Sequence, residues 1–162
     1  MVFAIGSFSI DVDAERTKKY YAESSRTLTE GCDCIECQNF VKACEGLAPE
    51  IKAFFEMLGV DIRKAPDMSV FHGDAEKNTL FYMGWYHLCG TVLKGENAWV
   101  SDSPRSGHWE KTMAYPVTDG CCVSFSDHCA LVDPTFPRPV MQMDVDIQVP
   151  WVLETCKHDY LV

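Results

Sequence analysis

Four of the chain's nine cysteines fall within Glu30-Gly-Cys-Asp-Cys-Ile-Glu-Cys-Gln-Asn-Phe-Val-Lys-Ala-Cys44, and no other segment concentrates soft metal ligands and nucleophilic thiols so densely. Asp33 reads as a helix N-cap with Glu36 three residues on, which predicts a helix from Cys34 to about Gly46. In that frame Cys32 precedes the cap and Cys37 is the fourth helical residue, two positions that touch across a helix start. Cys32, Cys34 and Cys37 are therefore expected to cluster at one helix end. The unpaired N–H groups and positive dipole pole there favour thiolate over thiol, so lowered pKa values are expected for all three.

Three readings fit this pattern. The cluster is a candidate zinc site of structural type, with Cys32, Cys34 and Cys37 as ligands. Alternatively, Cys34-x-x-Cys37 is a thiol-redox or thiol-sensing pair. The third reading has no chemistry: Cys37, Phe40, Val41, Cys44 and Leu47 share one side of a helical wheel opposite Gln38, Lys42 and Glu45, as in an amphipathic core helix. That reading accounts for Cys37 and Cys44 but not for Cys32 and Cys34. A second Cys-x-x-Cys at zinc-ribbon spacing is absent. Cys44 is not expected to share a metal with the others, because seven helical residues place it about 10 Å along the axis from Cys37. A fourth ligand would come from outside the helix, with Cys156, His158, His87, His128 or a water as candidates.

Other chemistry-bearing residues have plainer readings. His87 lies in a strand-like run, Gly84-Trp-Tyr-His87, where a histidine is more often packed than ligating. His128-Cys129 and Cys121-Cys122 are adjacent pairs, and adjacent strand residues point to opposite faces. Asp144 and Asp146 share a strand face about 7 Å apart, but Gln142 and Gln148 continue the same row, which reads as a solvated face. No Gly-x-Ser-x-Gly, His-Glu-x-x-His, Walker A or Gly-x-Gly-x-x-Gly motif occurs, so familiar hydrolase, NTPase and dinucleotide chemistries have no support. A domain acting through binding rather than turnover is the expectation.

The elements that must position these residues follow from periodicity. Strands are expected near 2–5 and 8–12, then a helix capped by Asp13 to about Glu23, and a polar loop from Ser24 to Gly31. Pro49 at a first helical turn and the stripe Ile51, Phe54, Phe55, Leu58 predict a helix ended by Gly59. Strands follow over 68–73 and 78–94, with Gly84 and Gly90 expected at bends or bulges. A loop spans Lys94 to Glu110. A hairpin follows from Met113 to Ser126 with a type I′ turn at Asp119-Gly120, then a short strand at 128–132. Val140 to Val149 alternates strictly, with Met141, Met143, Val145, Ile147 and Val149 facing inward. Helices early and strands late imply an α+β domain: a mainly antiparallel β-sheet of six or more strands, mostly after residue 68, with two to three helices before residue 60 packed on it. Val41 and Met143 join the 51–58 stripe as expected core residues.

Composition bounds the rest. The chain's 162 residues are 47% hydrophobic and 12% aromatic, enough for one domain, 1–162, with a substantial core. A formal net charge of −10 argues against nucleic acid or an anionic membrane as partner. Met1 to Asp13 has neither a basic region nor an apolar run of signal-peptide length. The expected location is cytoplasmic, where cysteines are thiols or metal ligands.

Cys32-Asp-Cys-Ile-Glu-Cys-Gln-Asn-Phe40, Phe55-Glu-Met-Leu-Gly-Val-Asp61 with Lys64, Tyr82-Met-Gly-Trp-Tyr-His87 with Gly90, and Val149-Pro-Trp-Val-Leu153 together resemble an uncharacterised family of small bacterial cytoplasmic proteins. The resemblance spans most of the chain. It implies one intact domain and a significant cysteine segment, and it supplies no activity, substrate or catalytic residue.

Overall fold

A computed structural model of the chain describes residues 1–104 and 106–154. A hairpin opens it, β1 (Val2–Ile5) and β2 (Phe8–Val12), turning through Gly6 at φ 58°. Four helices follow: α1 (Ala14–Glu23), α2 (Leu28–Gly31), α3 (Ile35–Ala43) and α4 (Pro49–Met57). Then come β3 (Asp67–Asp74), β4 (Thr79–Lys94), β5 (Trp99–Ser103), β6 (Ser106–Trp109), β7 (Tyr115–Thr118), β8 (Cys121–Ser126) and β9 (Val140–Pro150). Helices early and antiparallel strands late give the α+β class that the sequence order implies.

Seven strands form one open sheet in the order β1-β2-β4-β9-β8-β7, with β3 also paired to β4. The 16-residue β4 makes this possible, because its first half pairs with β3 and its last residues with β2. Strict alternation in β9 sets the two faces: Met141, Met143, Val145, Ile147 and Val149 are each fully buried. On that side Phe40 of α3 meets Tyr82 at 5.1 Å between ring centroids, and Phe55 of α4 meets Tyr86 at 5.1 Å. The helices thus cover one face of the sheet. Side chains sew them on: the Thr17 hydroxyl accepts from the Cys89 amide at 2.9 Å, and the Tyr21 hydroxyl donates to the His87 carbonyl at 3.1 Å.

Helix ends follow the local rules in part. Asp13 caps α1 by accepting from the Arg16 amide at 3.0 Å, and α4 stops at Gly59, φ 76°, where the Val60 amide returns to the Phe55 carbonyl. Ile51, Phe55 and Leu58 are buried, whereas Phe54 and Val41 are only partly so. Phe54 lies at the margin, stacked on Tyr115 of β7 with centroids 6.1 Å apart.

Several sequence expectations are corrected. Residues 28–31 form the one-turn helix α2 rather than loop. The expected loop at 94–110 contains the β5–β6 hairpin, whose strands pair Trp99 with Trp109. Residues 128–132 form no strand. Asp119 and Gly120 do join β7 to β8, but neither takes a positive φ, so the turn is not type I′; a register shift around Val117 accommodates it instead. The bulges fall at Phe71, in the pairing of β3 with β4, and at Leu93, in the pairing of β4 with β2, not at the glycines. Gly84 and Gly90 instead sit where a Cβ would lie 2.2 Å from the carbonyl oxygens of Asp67 and Asp11, so close passage of the neighbouring strands requires them. No helix among the described residues is long and apolar enough to cross a membrane.

Candidate metal centre

The cysteine helix begins one residue later than Asp33 capping would place it. Cys34 is the N-cap, with ψ 155°, and its sulfur accepts from the Cys37 amide at 3.5 Å. Asp33 lies outside the helix, its carbonyl accepting from the Gln38 side chain at 2.7 Å. The shift has a chemical result: a sulfur, not a carboxylate, takes the Cys37 amide of the first turn.

Burial then grades the three thiols. Cys32 is exposed, Cys34 half-buried and Cys37 buried at 4% exposure, and the three sulfurs lie within 4.8 Å of one another. Sulfurs sharing a tetrahedral zinc lie about 3.8 Å apart, since each Zn–S bond is about 2.3 Å. Tightening by about 1 Å at most closes the set. Three soft donors converging at a surface suit a thiophilic divalent ion. Cys44 is buried one helix length away and does not belong to the group.

The thiols do not all ionise easily, which corrects the expectation from the helix dipole. The backbone amide of Cys34, followed by the thiols of Cys34 and Cys37, stabilises the Cys32 thiolate and lowers its pKa. Burial outweighs the first-turn amides at Cys34 and pushes its pKa up. At Cys37 burial, reinforced by the two neighbouring sulfurs, pushes it far higher. Desolvation wins because a helix N-terminus offers partial charges, while burial removes the hydration of a full one.

The helix that carries the cluster is fixed to the sheet by residues that the sequence reading passes over. Asn39 is fully buried; its side-chain N–H groups donate to the Pro150 carbonyl at 3.1 Å and the Tyr82 hydroxyl at 3.3 Å, and its oxygen accepts from the Val152 amide at 2.8 Å. Tyr82 in turn donates to the Glu36 carbonyl at 2.9 Å, within the first turn. The signal in sequence was a polar residue beside the apolar stripe at Phe40, with nothing to say what it would bond.

Of the expected fourth ligands, His87 is buried with its Nε2 at 2.9 Å from the Ala130 carbonyl, and neither it nor His128 joins the sulfurs. Cys156 and His158 lie outside the described residues. Among the described residues no other histidine, cysteine or carboxylate completes the group.

The Asp144 and Asp146 row is also not the plain solvated face expected of it. Asp144 is half-buried and accepts from Asn97 at 2.9 Å and Gln142 at 2.7 Å. Burial raises the pKa of both aspartates. No protein-family model, curated protein or solved structure matches the chain.

Proposed function

We propose that this is a cytoplasmic zinc-binding domain in which Cys32, Cys34 and Cys37 hold the ion at the start of α3 and the protein acts by binding rather than by turnover. The observation that carries the reading is the approach of three thiols to within 4.8 Å at a helix end tied down by Asn39 and Tyr82. Zinc bound there would neutralise thiolates that burial otherwise disfavours and would fix the loop before α3 to the helix. The fourth position belongs to a water or to the chain after β9. Val152 is bonded to Asn39 of the same helix, and the four residues from Val152 to Cys156 span at most about 14 Å.

The redox alternative needs an activated Cys34, and burial acts against that by raising its pKa. The test is metal analysis of untagged protein purified without chelator, followed by cobalt(II) substitution. One zinc per chain and thiolate-to-cobalt charge-transfer bands are expected. Cys34→Ala and Cys37→Ala abolish binding, while Cys156→Ser identifies or removes the tail as fourth ligand. Absence of metal together with rapid alkylation of Cys34 at neutral pH would replace zinc by the thiol reading.

A further inference from the structure

Opposite the helices, the sheet carries a cavity of about 550 Å³, within the range of small-molecule sites. Its floor is the outward row of β4 and β9, where Trp85 and Asp144 are paired across the strands. Trp99 and Trp109, opposite each other in the β5–β6 hairpin, line it too. Phe71, the residue bulged out of β3, adds a fourth aromatic ring. Bulges re-aim side chains in this way.

The polar groups of the cavity are organised around one carboxylate. The Gln142 amide oxygen accepts from the Ala130 amide at 2.8 Å and the Asn97 oxygen from the Trp99 amide at 2.6 Å. Both side-chain amides are thereby oriented with their N–H groups donating to Asp144. Each amide thus has one donor and one acceptor site engaged inside the protein. A carboxylate has about four lone-pair sites, so two of Asp144's remain. No lysine or arginine is among the described residues lining the cavity, and the other groups there that can ionise are His128 and Cys129.

We propose that this cavity binds a small organic cation, a primary amine or guanidinium, whose charged group meets Asp144 and whose body packs among Trp85, Trp99, Trp109 and Phe71. Aromatic faces attract cations through the ring quadrupole and add contact area for the apolar part. A negative group with no lysine or arginine among the described residues lining its cavity, inside aromatic walls, selects positive charge over neutral or anionic isosteres.

The test titrates intrinsic tryptophan fluorescence of the full chain with three probes of matched size: phenethylamine, 2-phenylethanol and 3-phenylpropanoate. Saturable binding of the amine, at least about tenfold tighter than the alcohol, is expected, with the carboxylate weakest. Asp144→Asn removes the preference for the amine over the alcohol. Trp99→Ala, at a half-exposed position whose truncation leaves the core intact, weakens the amine by roughly 3–10-fold. Circular dichroism establishes that each variant is folded, and the Trp99 variant stands if the Asp144 variant is not. Equal binding of amine and alcohol, absence of saturable amine binding, or an unchanged amine affinity in Trp99→Ala would each overturn the proposal.

Discussion

Among single residues, the three clustered thiols differ more than their spacing suggests. Sequence placed them together correctly, because the residues just before a helix and those of its first turn are neighbours whether Asp33 or Cys34 does the capping; Cys37 is the fourth helical residue in the first case and the third in the second. It misjudged their ionisation, because burial is not written in a spacing. Bound zinc must displace protons from Cys34 and Cys37, whose pKa values are raised, so zinc affinity is expected to fall steeply as pH drops and proton release on binding should be measurable by calorimetry in two buffers. Cys44→Ala serves as the contrast: its buried thiol, pushed up to about 12, contributes packing only, so metal content should be unchanged and stability lower by roughly 1–2 kcal/mol. Loss of metal in that variant would reject the ligand assignment. His87 sets another pH dependence. Burial lowers its pKa from 6.5, so the unfolded chain binds the proton more readily. Stability at His87 is complete above about pH 6.5 and declines as pH falls below it. Urea midpoints at pH 7.5 and 5.5 should differ in the wild type and converge in His87→Gln.

At the scale of elements, the strongly patterned segments were legible and the irregular ones were not. β1, β2 and β9 follow from alternation, β4 from its aromatic and β-branched content, and α1 and α4 from caps and apolar stripes. β5 and β6 were hidden because Trp-Val-Ser-Asp-Ser and Ser-Gly-His-Trp lack an apolar alternation; they are an exposed pair stabilised by each other and by what they cover. α2 is a single turn, too short for any periodicity to declare. The end of α4 is a place where one atom decides. A Cβ on Gly59 would stand 2.2 Å from the Ala14 carbonyl oxygen, at φ 76°, so both the backbone conformation and the contact with α1 oppose it. Gly59→Ala should therefore cost about 2 kcal/mol or more, read as a lower urea midpoint at unchanged m-value. Phe55→Ala, in the buried stripe beneath it, should cost about 3–5 kcal/mol. Phe54→Ala, at the margin on Tyr115, should cost less than Phe55→Ala, a ranking that the periodicity alone did not supply.

The whole molecule is a sheet with different chemistry on its two faces. Strict alternation in β9 places Met143 under the helices and Asp144 in the opposite cavity, so the cysteine cluster and the aromatic cavity share strands but no side chains. Sequence showed the alternation and took the polar row for a solvated face, since nothing local announces that a distant hairpin will roof it. The arrangement makes a prediction about coupling. Zinc that binds only the folded chain at a hundredfold excess over its Kd adds about 2.7 kcal/mol, or roughly 5–10 °C in Tm for a domain of this size. Trp99→Ala should leave that metal-dependent shift unaltered, and phenethylamine should raise Tm by the same amount with and without zinc. The two ligands should be additive within about 0.5 kcal/mol, as for sites that share no partners. A coupling well above 1 kcal/mol would show instead that the sheet has two arrangements which the faces bias together. β9 is where to look for them, because Gln142 and Asp144 lie on its cavity side and Asn39 grips the carbonyl of Pro150 at its end.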